Sequence, residues 1–594
     1  MKSIVKRALG VLAIGQLLLT AFAFSSAAAN EWEITTANRM KQRLQPHSTG
    51  VSPGCSGSGI DLCAAVNRFY RFRDYKLAWV GSGGLLPEGA MALEALRQSG
   101  PQGLPASDDY SPLLGSLLKK PMTMPVASTP DGNEEQIHLD LVLTDTLLRY
   151  AYHRTLGRTD PGMTSYGKRA AAAPCRDLAV ELAEMLAGGR LEEFLDQIGP
   201  RHAAYRALQK SLRRYQDIKA AGGWPRVEAG PSLQFGDCGP RVAQLRNRLA
   251  ASEPDPFGSE WTEMCFDTAL AGAVEQFQLR HGLGADGVVG AKTLEALNTP
   301  VEQRIRQIHL NLERWRWMPE DLGSPHIMVN IPGYRMDIVE SGRVVRTMRA
   351  IVGQKRRPTP ELSGMMTYLE INPYWNVPTK IARKDILPKI QKNPDYLIRQ
   401  NFRVFDGWGK NARELNPDAI DWSSFSGSYF PFRLRQEPAP HNALGRVKFM
   451  FPNDLSVYIH DTPTKNLFNE PSRGFSSGCV RIEEPMALMS FLLERQGWSQ
   501  ERLSEVMAST KRRVVVLDAP VPVYLVYLTA WVDESGEVQF RDDIYGQDQR
   551  LLSAMAEDRT SRPACNDFLL HPNTLVQTDT GRHPTFHGRP SAAF

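Results

Sequence analysis

The sequence predicts a multidomain α+β protein, with helical domains in its first half and a β-rich domain in its second. Three patterns lead to this prediction. Apolar residues recur at three- and four-residue steps over Ile137–Tyr152, which is typical of an amphipathic helix. A shorter stripe of the same kind, Val242–Leu249, follows a linker that contains Gly and Pro. From Ile327 onward, short alternating runs separated by turn residues indicate antiparallel or mixed strands.

Length and composition fit an ordinary globular protein of about three or four domains. The chain has 594 residues, of which 42% are hydrophobic and 23% charged, and its formal net charge is +5. A small positive charge would suit a polyanionic cell wall but decides nothing alone. Because no basic patch is interleaved with aromatic residues, we expect no nucleic-acid partner.

The first 29 residues have the pattern of a secretory signal peptide. Lys2, Lys6 and Arg7 form a basic segment, Ala8–Phe24 is largely apolar, and small residues lead up to Ala29. Cleavage after Ala29 would leave an exported mature protein. An uncleaved segment would instead act as an inner-membrane anchor, which is the only membrane contact we expect.

Residues 30–230 are predicted to form an α-helical scaffold domain without chemistry of its own. Apolar stripes at Leu178–Leu186, Leu191–Ile198 and Tyr205–Leu212 join the stripe at Ile137–Tyr152. The motif Ser116-Leu-Leu-Lys119 matches the S-x-x-K of serine transpeptidases and β-lactamases. Two fixed positions in four arise often by chance and no K-T-G partner exists, so we give this motif no role.

Residues 231–300 are predicted to form a small three-helix module. Helical stripes at Val242–Leu249, Ala269–Phe277 and Thr293–Leu297 flank the turn Asp286-Gly-Val-Val-Gly290. His281 precedes that turn. Since it has no spaced His, Cys or carboxylate partner, we expect it to cap a helix or to lie at the surface rather than to bind a metal.

The residues able to do chemistry lie where two predicted strands end. His460 follows the alternating run Leu455–Ile459, and Cys479 precedes another β-type run, Val480–Ile482. A loop that folds back would bring the imidazole to the thiol. Such a pair supports acyl transfer, in which histidine accepts the proton and the thiolate attacks a carbonyl. Gly478 leaves room for a substrate, and the N–H groups of Gly478 and Cys479 are placed to hold an oxyanion.

The seven cysteines suggest disulfides together with one free thiol. In an oxidising compartment up to six can pair, and Cys479 is the natural odd one out because a catalytic thiol must stay reduced. The pairs Cys55–Cys63 and Cys238–Cys265 are attractive because each closes a short segment. The sequence alone leaves the connectivity open. The seven are Cys55, Cys63, Cys175, Cys238, Cys265, Cys479 and Cys565.

The stretch around Cys479 resembles the L,D-transpeptidases, which cross-link bacterial peptidoglycan through a cysteine. His460 and Ser476-Ser-Gly-Cys-Val-Arg481 carry the likeness, although many members have histidine where this chain has Ser477. That difference leaves open which group orients His460. Blocks at Arg357–Leu362 and Asn372–Pro378 are similar to those of the large periplasmic branch, and residues 231–300 resemble a peptidoglycan-binding domain.

This resemblance implies a β-rich catalytic domain over residues 301–547, with a lid inserted at about 379–445 and a C-terminal tail at 548–594. The insertion is aromatic and rich in loops, which suits a lid over a cleft. A structural excursion that packs elsewhere is the alternative that the residues leave open.

The resemblance also implies a reaction and its residues. Cys479 would attack the third residue of a stem tetrapeptide, release D-alanine and pass the acyl group to an amine of a neighbouring stem, giving a 3→3 cross-link. The expected partners are these donor and acceptor stems, with other wall-synthesis proteins as an option; no metal and no other cofactor is expected. The expected catalytic residues are Cys479, His460 and Gly478, and the expected substrate-binding residues are Arg481, Tyr458, Ser477, Trp375 and Asn376.

Two other functions stay open at this point. A cell-wall cysteine peptidase, acting as an L,D-carboxypeptidase, would share the acyl-enzyme and pass it to water; the order His460 before Cys479 differs from papain-like sequences. A non-catalytic wall-binding scaffold would carry an inert thiol. Arg481 could equally form a salt bridge on the strand surface, and Asp461 is expected to cap the turn rather than to polarise His460.

Overall fold

The computed structural model describes residues 30–44, 62–104, 130–159, 176–252, 264–425 and 429–557. Within these ranges no helix is long and apolar enough to cross a membrane. The architecture confirms the predicted fold class, since helices build the first half and a β-barrel-like sheet dominates the second. Several sequence predictions fall outside the described residues: the signal peptide, the Ser116-Leu-Leu-Lys119 motif, Cys55 as a disulfide partner, and the tail beyond residue 557.

The scaffold region is a group of helices with one short hairpin. Its apolar stripes meet in a common core that includes Phe69, Trp79, Leu141 and Phe194. The carboxylate of Asp140 is buried in this core, where it accepts hydrogen bonds from the backbone N–H groups of residues 78 to 80 and thereby ties the hairpin to a helix. The elements are α1 (residues 30–44), α2 (Leu62–Phe72), β1 (Val80–Gly81), β2 (Gly84–Leu85), α3 (Pro87–Arg97), α4 (Pro130–Leu156), α5 (Leu178–Ala187), α6 (Leu191–Gln197) and α7 (Ala203–Ala220).

The next module has the three predicted helices, α8 (Pro240–Ala250), α9 (Thr268–Arg280) and α10 (Ala291–Leu297). Its predicted disulfide, Cys238–Cys265, is confirmed. The buried amide of Gln278 holds the turn after α9, because it donates to Asp286 and accepts from the N–H groups of Asp286 and Gly287. His281 caps α9 through a 2.8 Å hydrogen bond between Nδ1 and the carbonyl of Phe277, which confirms the capping role.

Helix α11 (Val301–Arg316) joins the scaffold to the β-rich region. One side packs on α7, and the shared core continues onto Tyr524 and Phe540 of the second half. Near its end, Glu313 and Arg316 form a fully buried ion pair of 2.9 Å. Arg316 also donates to the carbonyls of Gln102 and Gly103, while Glu313 accepts the N–H of Thr159. The helix is therefore fixed to the scaffold by polar contacts as well as by apolar packing.

The β-rich region begins with four strands, β3 (His326–Asn330), β4 (Arg335–Glu340), β5 (Arg343–Gly353) and β6 (Leu362–Ile371). A separate subdomain then interrupts the sheet. Its four-stranded sheet has the order β7-β10-β8-β9, and its own core includes Ile390, Val404, Trp422 and Leu434. The subdomain contains β7 (Trp375–Asn376), α12 (Thr379–Ile381), a π-helical turn (Ala382–Ile386), α13 (Leu387–Lys392), α14 (Tyr396–Arg399), β8 (Phe402–Phe405), β9 (Glu414–Leu415) and β10 (Arg433–Gln436).

The remaining strands return to the first sheet and close it. Its order is β13-β5-β14-β12-β11-β6-β15-β3-β4, and β4 also pairs with β5, so the sheet curls into a barrel. Two helices, α15 and α16, pack on the same core as the barrel strands. These elements are β11 (Val447–Met450), β12 (Ile459–His460), β13 (Gly474–Ser476), β14 (Val480–Ile482), α15 (Pro485–Glu494), α16 (Gln500–Ala508), β15 (Arg513–Val526), β16 (Ala530–Val532), β17 (Val538–Phe540) and α17 (Gln547–Glu557).

Two local predictions were wrong. The run Leu455–Ile459 is mostly not a strand, because Oδ1 of Asn453 accepts the N–H groups of Leu455 and Val457 and holds them in a turn. The C-terminal tail was expected to begin at residue 548, yet the helix α17 extends to Glu557. Leu551 and Met555 of α17 pack on Leu310 of α11, so this helix belongs to the folded body.

Candidate active site

The pairing of β12 with β14 aligns the residues that the sequence had singled out. The two strands are parallel, with Ile459 opposite Val480 and His460 opposite Arg481. Extending this register by one residue places Tyr458 beside Cys479, and the Val480 N–H donates to the Tyr458 carbonyl at 3.1 Å. Because side chains alternate along a strand, all four polar side chains share one face.

The opposite face of these strands is the barrel core. Ile459, Val480 and Ile482 are fully buried there. Their burial fixes the register, since a slip by one residue would turn the polar set into the core and expose the apolar one. Tyr458, His460, Cys479 and Arg481 therefore point away from the core, toward the side on which the inserted subdomain packs.

Cys479 is partly buried and is the free cysteine of the described residues. Its Sγ lies 3.9 Å from the carbonyl oxygen of Ser456, to which the thiol donates. Burial raises the pKa of the thiol, whereas hydrogen bonds from Tyr458 and the charges of Lys448 and Arg481 act to lower it. The net shift is upward, so the thiol is protonated at neutral pH in this structure.

His460 is buried, and its tautomer is set by the backbone. Its Nδ1–H donates to the carbonyl oxygen of Asp461 at 2.5 Å, which leaves Nε2 as the ring's proton acceptor. Burial, reinforced by the positive charge of Arg481, lowers the pKa of His460 to about 3. A neutral imidazole fits a general base better than it fits one half of a preformed thiolate–imidazolium pair.

The Asp461 side chain holds the turn after β12, as predicted. Its Oδ2 accepts the N–H of Arg446 at 2.7 Å, and its Oδ1 accepts the N–H of Thr462 and contacts Lys465, also at 2.7 Å. Gly445 allows this approach: it has φ +61°, and a Cβ there would lie 2.3 Å from the Asp461 carboxyl group. The backbone of Asp461, rather than its carboxylate, orients the imidazole.

Tyr458 connects the thiol to the imidazole and to the inserted subdomain. Its phenol hydrogen-bonds the Cys479 thiol, and its ring lies edge-on to that of His460 with centroids 5.6 Å apart. Burial and the thiol raise the pKa of this phenol well above its usual value, while a hydrogen bond with the Trp375 side chain acts in the opposite direction. Tyr458 thus contacts the thiol, and Trp375 contacts Tyr458.

Arg481 is a half-buried cation that forms no ion pair within the described ranges of the chain. Its Nε is buried and has no hydrogen-bond partner. Burial lowers the pKa of Arg481, and the neighbouring Cys479 raises it. The alternative of a strand-surface salt bridge is therefore wrong, and the guanidinium is available to a ligand.

The loop before Cys479 departs from the sequence prediction in one respect. The Gly478 N–H, expected at an oxyanion, donates instead to Ser476 Oγ at 3.1 Å, and Ser476 Oγ donates to the Cys479 carbonyl. Gly478 has φ +120°, a conformation that other residues rarely adopt. The Cys479 N–H has no protein acceptor among the described residues. Of the N–H groups of Gly478 and Cys479, it is therefore the one that can bind an oxyanion.

The other two predicted residues lie toward the inserted subdomain. Ser477 is exposed and accepts a hydrogen bond of 2.9 Å from Arg357 Nη1. Arg357 also forms an ion pair with Asp385 of the subdomain, and so links it to the cysteine loop. Asn376 is held by Arg433, another residue of the subdomain, at 3.3 Å, and the structure does not bring it to the thiol.

Sequence reasoning missed three residues that shape this site. Thr359 Oγ1 donates to the Gly478 carbonyl and accepts the Gly353 N–H, both at 2.8 Å. It therefore connects the cysteine loop to the end of β5. Lys448 and Glu370 lie in line with His460 across β11 and β6. Thr359 lies in the block Arg357–Leu362 that the sequence analysis noted. Lys448 and Glu370 could not be found in this way, because neighbours across strands that are far apart in the chain leave no local pattern. No cluster of metal-ligating side chains occurs in the part of the chain that the structure describes.

Comparison with known proteins identifies the regions. A family model described as YkuD, the L,D-transpeptidase catalytic domain, matches residues 324–516. The barrel is an L,D-transpeptidase catalytic domain. A model described as "Scaffold domain" matches residues 64–212, and one described as "Putative peptidoglycan binding domain" matches residues 238–297.

A relative from Haemophilus influenzae, named "Putative L,D-transpeptidase", is 36% identical over 287 residues, which are 47% of this chain and 57% of the relative. The chain thus matches little more than half the length of that protein. Two solved L,D-transpeptidase structures also align with it. The one from Xylanimonas cellulosilytica has 18% identity and a TM-score of 0.16, over 50% of this chain and 99% of that chain. The one from Stackebrandtia nassauensis has 13% identity and a TM-score of 0.19, over 51% and 96%.

Proposed function

We propose that this chain is an exported L,D-transpeptidase that forms 3→3 peptidoglycan cross-links by acyl transfer on Cys479. The observation that carries this proposal is the register of β12 and β14 within an L,D-transpeptidase domain. It gathers a thiol, a neutral imidazole, a phenol and an unpaired guanidinium on one face. That set contains a nucleophile, a base and an anion-binding group.

In the first half-reaction, Nε2 of His460 accepts the thiol proton as Sγ bonds to the carbonyl carbon of the third residue of a donor tetrapeptide. The thiol must first turn away from the carbonyl of Ser456. The tetrahedral oxyanion then collapses and breaks the amide bond to the terminal D-alanine. His460 returns the proton to the departing amine, and a thioester remains on Cys479.

In the second half-reaction, the side-chain amine of a neighbouring stem attacks the thioester. His460 takes a proton from this amine, the new amide bond forms, and the C–S bond breaks. The proton returns to sulfur, so the enzyme regains its starting state. His460 is neutral, and so able to accept a proton, throughout the physiological range.

Two groups are proposed to stabilise charge during these steps. The Cys479 N–H is open and is the first oxyanion donor; the removal of one such donor typically costs ~2.7–4 kcal/mol. The Gly478 N–H would contribute only after release from Ser476 Oγ. Arg481 has an unsatisfied Nε and suits a carboxylate of the stem peptide.

We infer that the inserted subdomain acts as the lid of this site. Trp375 contacts Tyr458, and the Arg357–Asp385 ion pair connects the subdomain to the residue before Gly478. A donor stem that reaches Cys479 would therefore pass between the subdomain and the barrel. Residues 231–300 would hold the enzyme on the sacculus, with stem peptides as partners and the periplasm as the location.

The decisive experiment is mass spectrometry of disaccharide tetrapeptides after incubation with the full chain. Cross-linked dimer together with free D-alanine supports transfer. Tripeptide with D-alanine and no dimer would replace the proposal with an L,D-carboxypeptidase. Unchanged tetrapeptide would overturn both and favour a wall-binding scaffold.

A matched pair of variants locates the chemistry. Cys479→Ala should form no product, whereas Ser477→Ala, at the exposed neighbouring position, should retain most of the activity. Turnover close to that of the parent in Cys479→Ala would contradict the assignment of the nucleophile.

A further inference from the structure

Lys448 lies in the same cross-strand row as the proposed general base. On β11 it stands directly opposite His460 on one side and Glu370 on the other. Its neighbours along the strand, Val447 and Phe449, are fully buried in the barrel core. Lys448 must therefore point to the same face as Tyr458 and Cys479.

The ammonium group of Lys448 rests on the ring of Tyr458. Nζ lies 4.2 Å from the ring centroid, a cation–π contact, and the Lys448 side chain is only 15% exposed. The hydroxyl of that same ring hydrogen-bonds the Cys479 thiol. Lys448 is thus one side chain removed from the nucleophile.

The carboxylate of Glu370 does not hold Lys448 closely. Glu370 Oε2 is 2.7 Å from Arg512 Nη2, whereas its Oε1 is 3.9 Å from Lys448 Nζ. Within the described parts of the chain, Nζ of Lys448 donates no hydrogen bond, and its distance to Glu370 is too long for one. A lysine that served only to pair with Glu370 would approach it as Arg512 does. Lys448 therefore interacts with Glu370 through charge at a distance, and its direct contact is with the ring of Tyr458.

The charges that face the thiol are unbalanced toward the positive. The cations that act on the thiol are Lys448 of β11 and Arg481 of β14, while Glu370 and Arg512 act on Lys448 with opposite signs. His460 is neutral because burial holds its pKa at about 3, and burial keeps the phenol of Tyr458 protonated. A thiolate formed on Cys479 would meet a field that favours it.

We propose that Lys448 is a positioning residue for Cys479. Seated on the ring of Tyr458, its ammonium group fixes the phenol against the sulfur and stabilises the thiolate that attacks the substrate. The inference rests on the proposed role of Cys479 as nucleophile. The charge acts on the thiol itself, so its effect exists without substrate.

The test measures the alkylation rate of Cys479 by iodoacetamide against pH in the full chain, with peptide mapping to confirm the labelled residue. Lys448→Met should move the midpoint of this profile upward and slow alkylation at pH 7.5 by about tenfold, which corresponds to one pKa unit. Lys448→Arg keeps the charge and should stay within about threefold of the parent.

Glu370→Gln should shift the midpoint of the alkylation profile in the opposite direction. It removes the one carboxylate that faces Lys448, so the midpoint should move downward and alkylation at pH 7.5 should accelerate. A purely structural role for this row would slow or speed alkylation in both variants alike. Should Lys448→Met fail to fold, the direction of the Glu370→Gln shift alone decides.

Two results would overturn the proposal. One is an unchanged midpoint in folded Lys448→Met, including the case in which only the KM for stem peptide rises, since Lys448 would then bind substrate. The other is a midpoint that rises in Glu370→Gln. Because iodoacetamide needs no transpeptidase chemistry, the absence of cross-linking activity would contradict the proposed function without touching this test.

Discussion

Two regions of the molecule enclose an arginine, one with an ion-pair partner and the other without. At the joint between scaffold and barrel, Arg316 is buried against Glu313 and donates to two backbone carbonyls. On the face that carries Cys479, Arg481 is only partly buried and has no ion pair in the described chain. The buried Nε of each arginine lacks a hydrogen-bond partner, so the difference between them is the ion pair. The loss of one partner from a buried ion pair is strongly destabilising, whereas a cation without an ion pair is suited to bind an anionic ligand.

The largest expected effect lies on the open face, which is the side of β12 and β14 that carries Tyr458, His460, Cys479 and Arg481. Cys479→Ala should remove acylation by a carbapenem as well as cross-linking, because a strained β-lactam carbonyl should react with the same thiol. Since the thiol is partly exposed, the free energy of unfolding should change by no more than about 1 kcal/mol. Intact-mass measurement detects the adduct, and peptide mapping then identifies the labelled residue. A label that persists in the variant, on a serine for instance, would contradict the thiol assignment.

The joint and the open face should respond oppositely to the loss of a charge. Glu313→Gln leaves Arg316 buried without its carboxylate and should lower the free energy of unfolding by about 3–5 kcal/mol. Arg481→Met removes a cation that has no ion-pair partner, so stability should change by about 1 kcal/mol or less while turnover falls. Urea unfolding and the mass-spectrometric assay together measure both. Equal losses of stability would show that Arg481 is a structural residue like Arg316.

His460 should make the open face sensitive to acid. In the unfolded chain a histidine binds a proton below about pH 6.5, whereas folded His460 does so only near pH 3, so its contribution to stability falls as the pH drops between these values. His460→Gln should therefore lose less stability than the parent between pH 7 and pH 5, by up to about 2 kcal/mol. Urea titrations at the two pH values provide the comparison. Identical losses in both proteins would mean that His460 is not held neutral.

The smallest effect is expected at the rim of the joint, where the three-helix module meets the barrel. Arg280 pairs with Glu537 at 3.1 Å, and His281 stacks on Phe540 with centroids 5.6 Å apart. Because this ion pair is partly solvated, Glu537→Gln should lower the free energy of unfolding by about 1 kcal/mol or less and leave carbapenem acylation unchanged. A larger loss, together with loss of acylation, would mean that the module and the barrel fold as one unit.

The sequence predicted what depends on local pattern. The helices came from apolar stripes such as Ile137–Tyr152, and Cys479 and His460 came from residue types at the ends of β-type runs. The structure added what depends on register: Tyr458 beside the thiol, and Lys448 in the row of His460 although β11 lies in a different part of the sheet. The strand predicted before His460 does not form, because the side chain of Asn453 accepts hydrogen bonds from backbone N–H groups that a strand would use for pairing.

The contacts of Tyr545 have a consequence for the order in which the enzyme is assembled. Its hydroxyl donates to the Gly353 carbonyl across a separation of 192 residues and accepts the Thr359 N–H, and Thr359 supports the Gly478 carbonyl. The loop that carries Cys479 is therefore supported by a residue synthesised after it. We expect a chain truncated after β17, before Tyr545, to hold its thiol in an unfinished loop. Such a chain should react with a carbapenem more slowly than the complete one, so the thiol would reach its full reactivity only after the last part of the fold has formed.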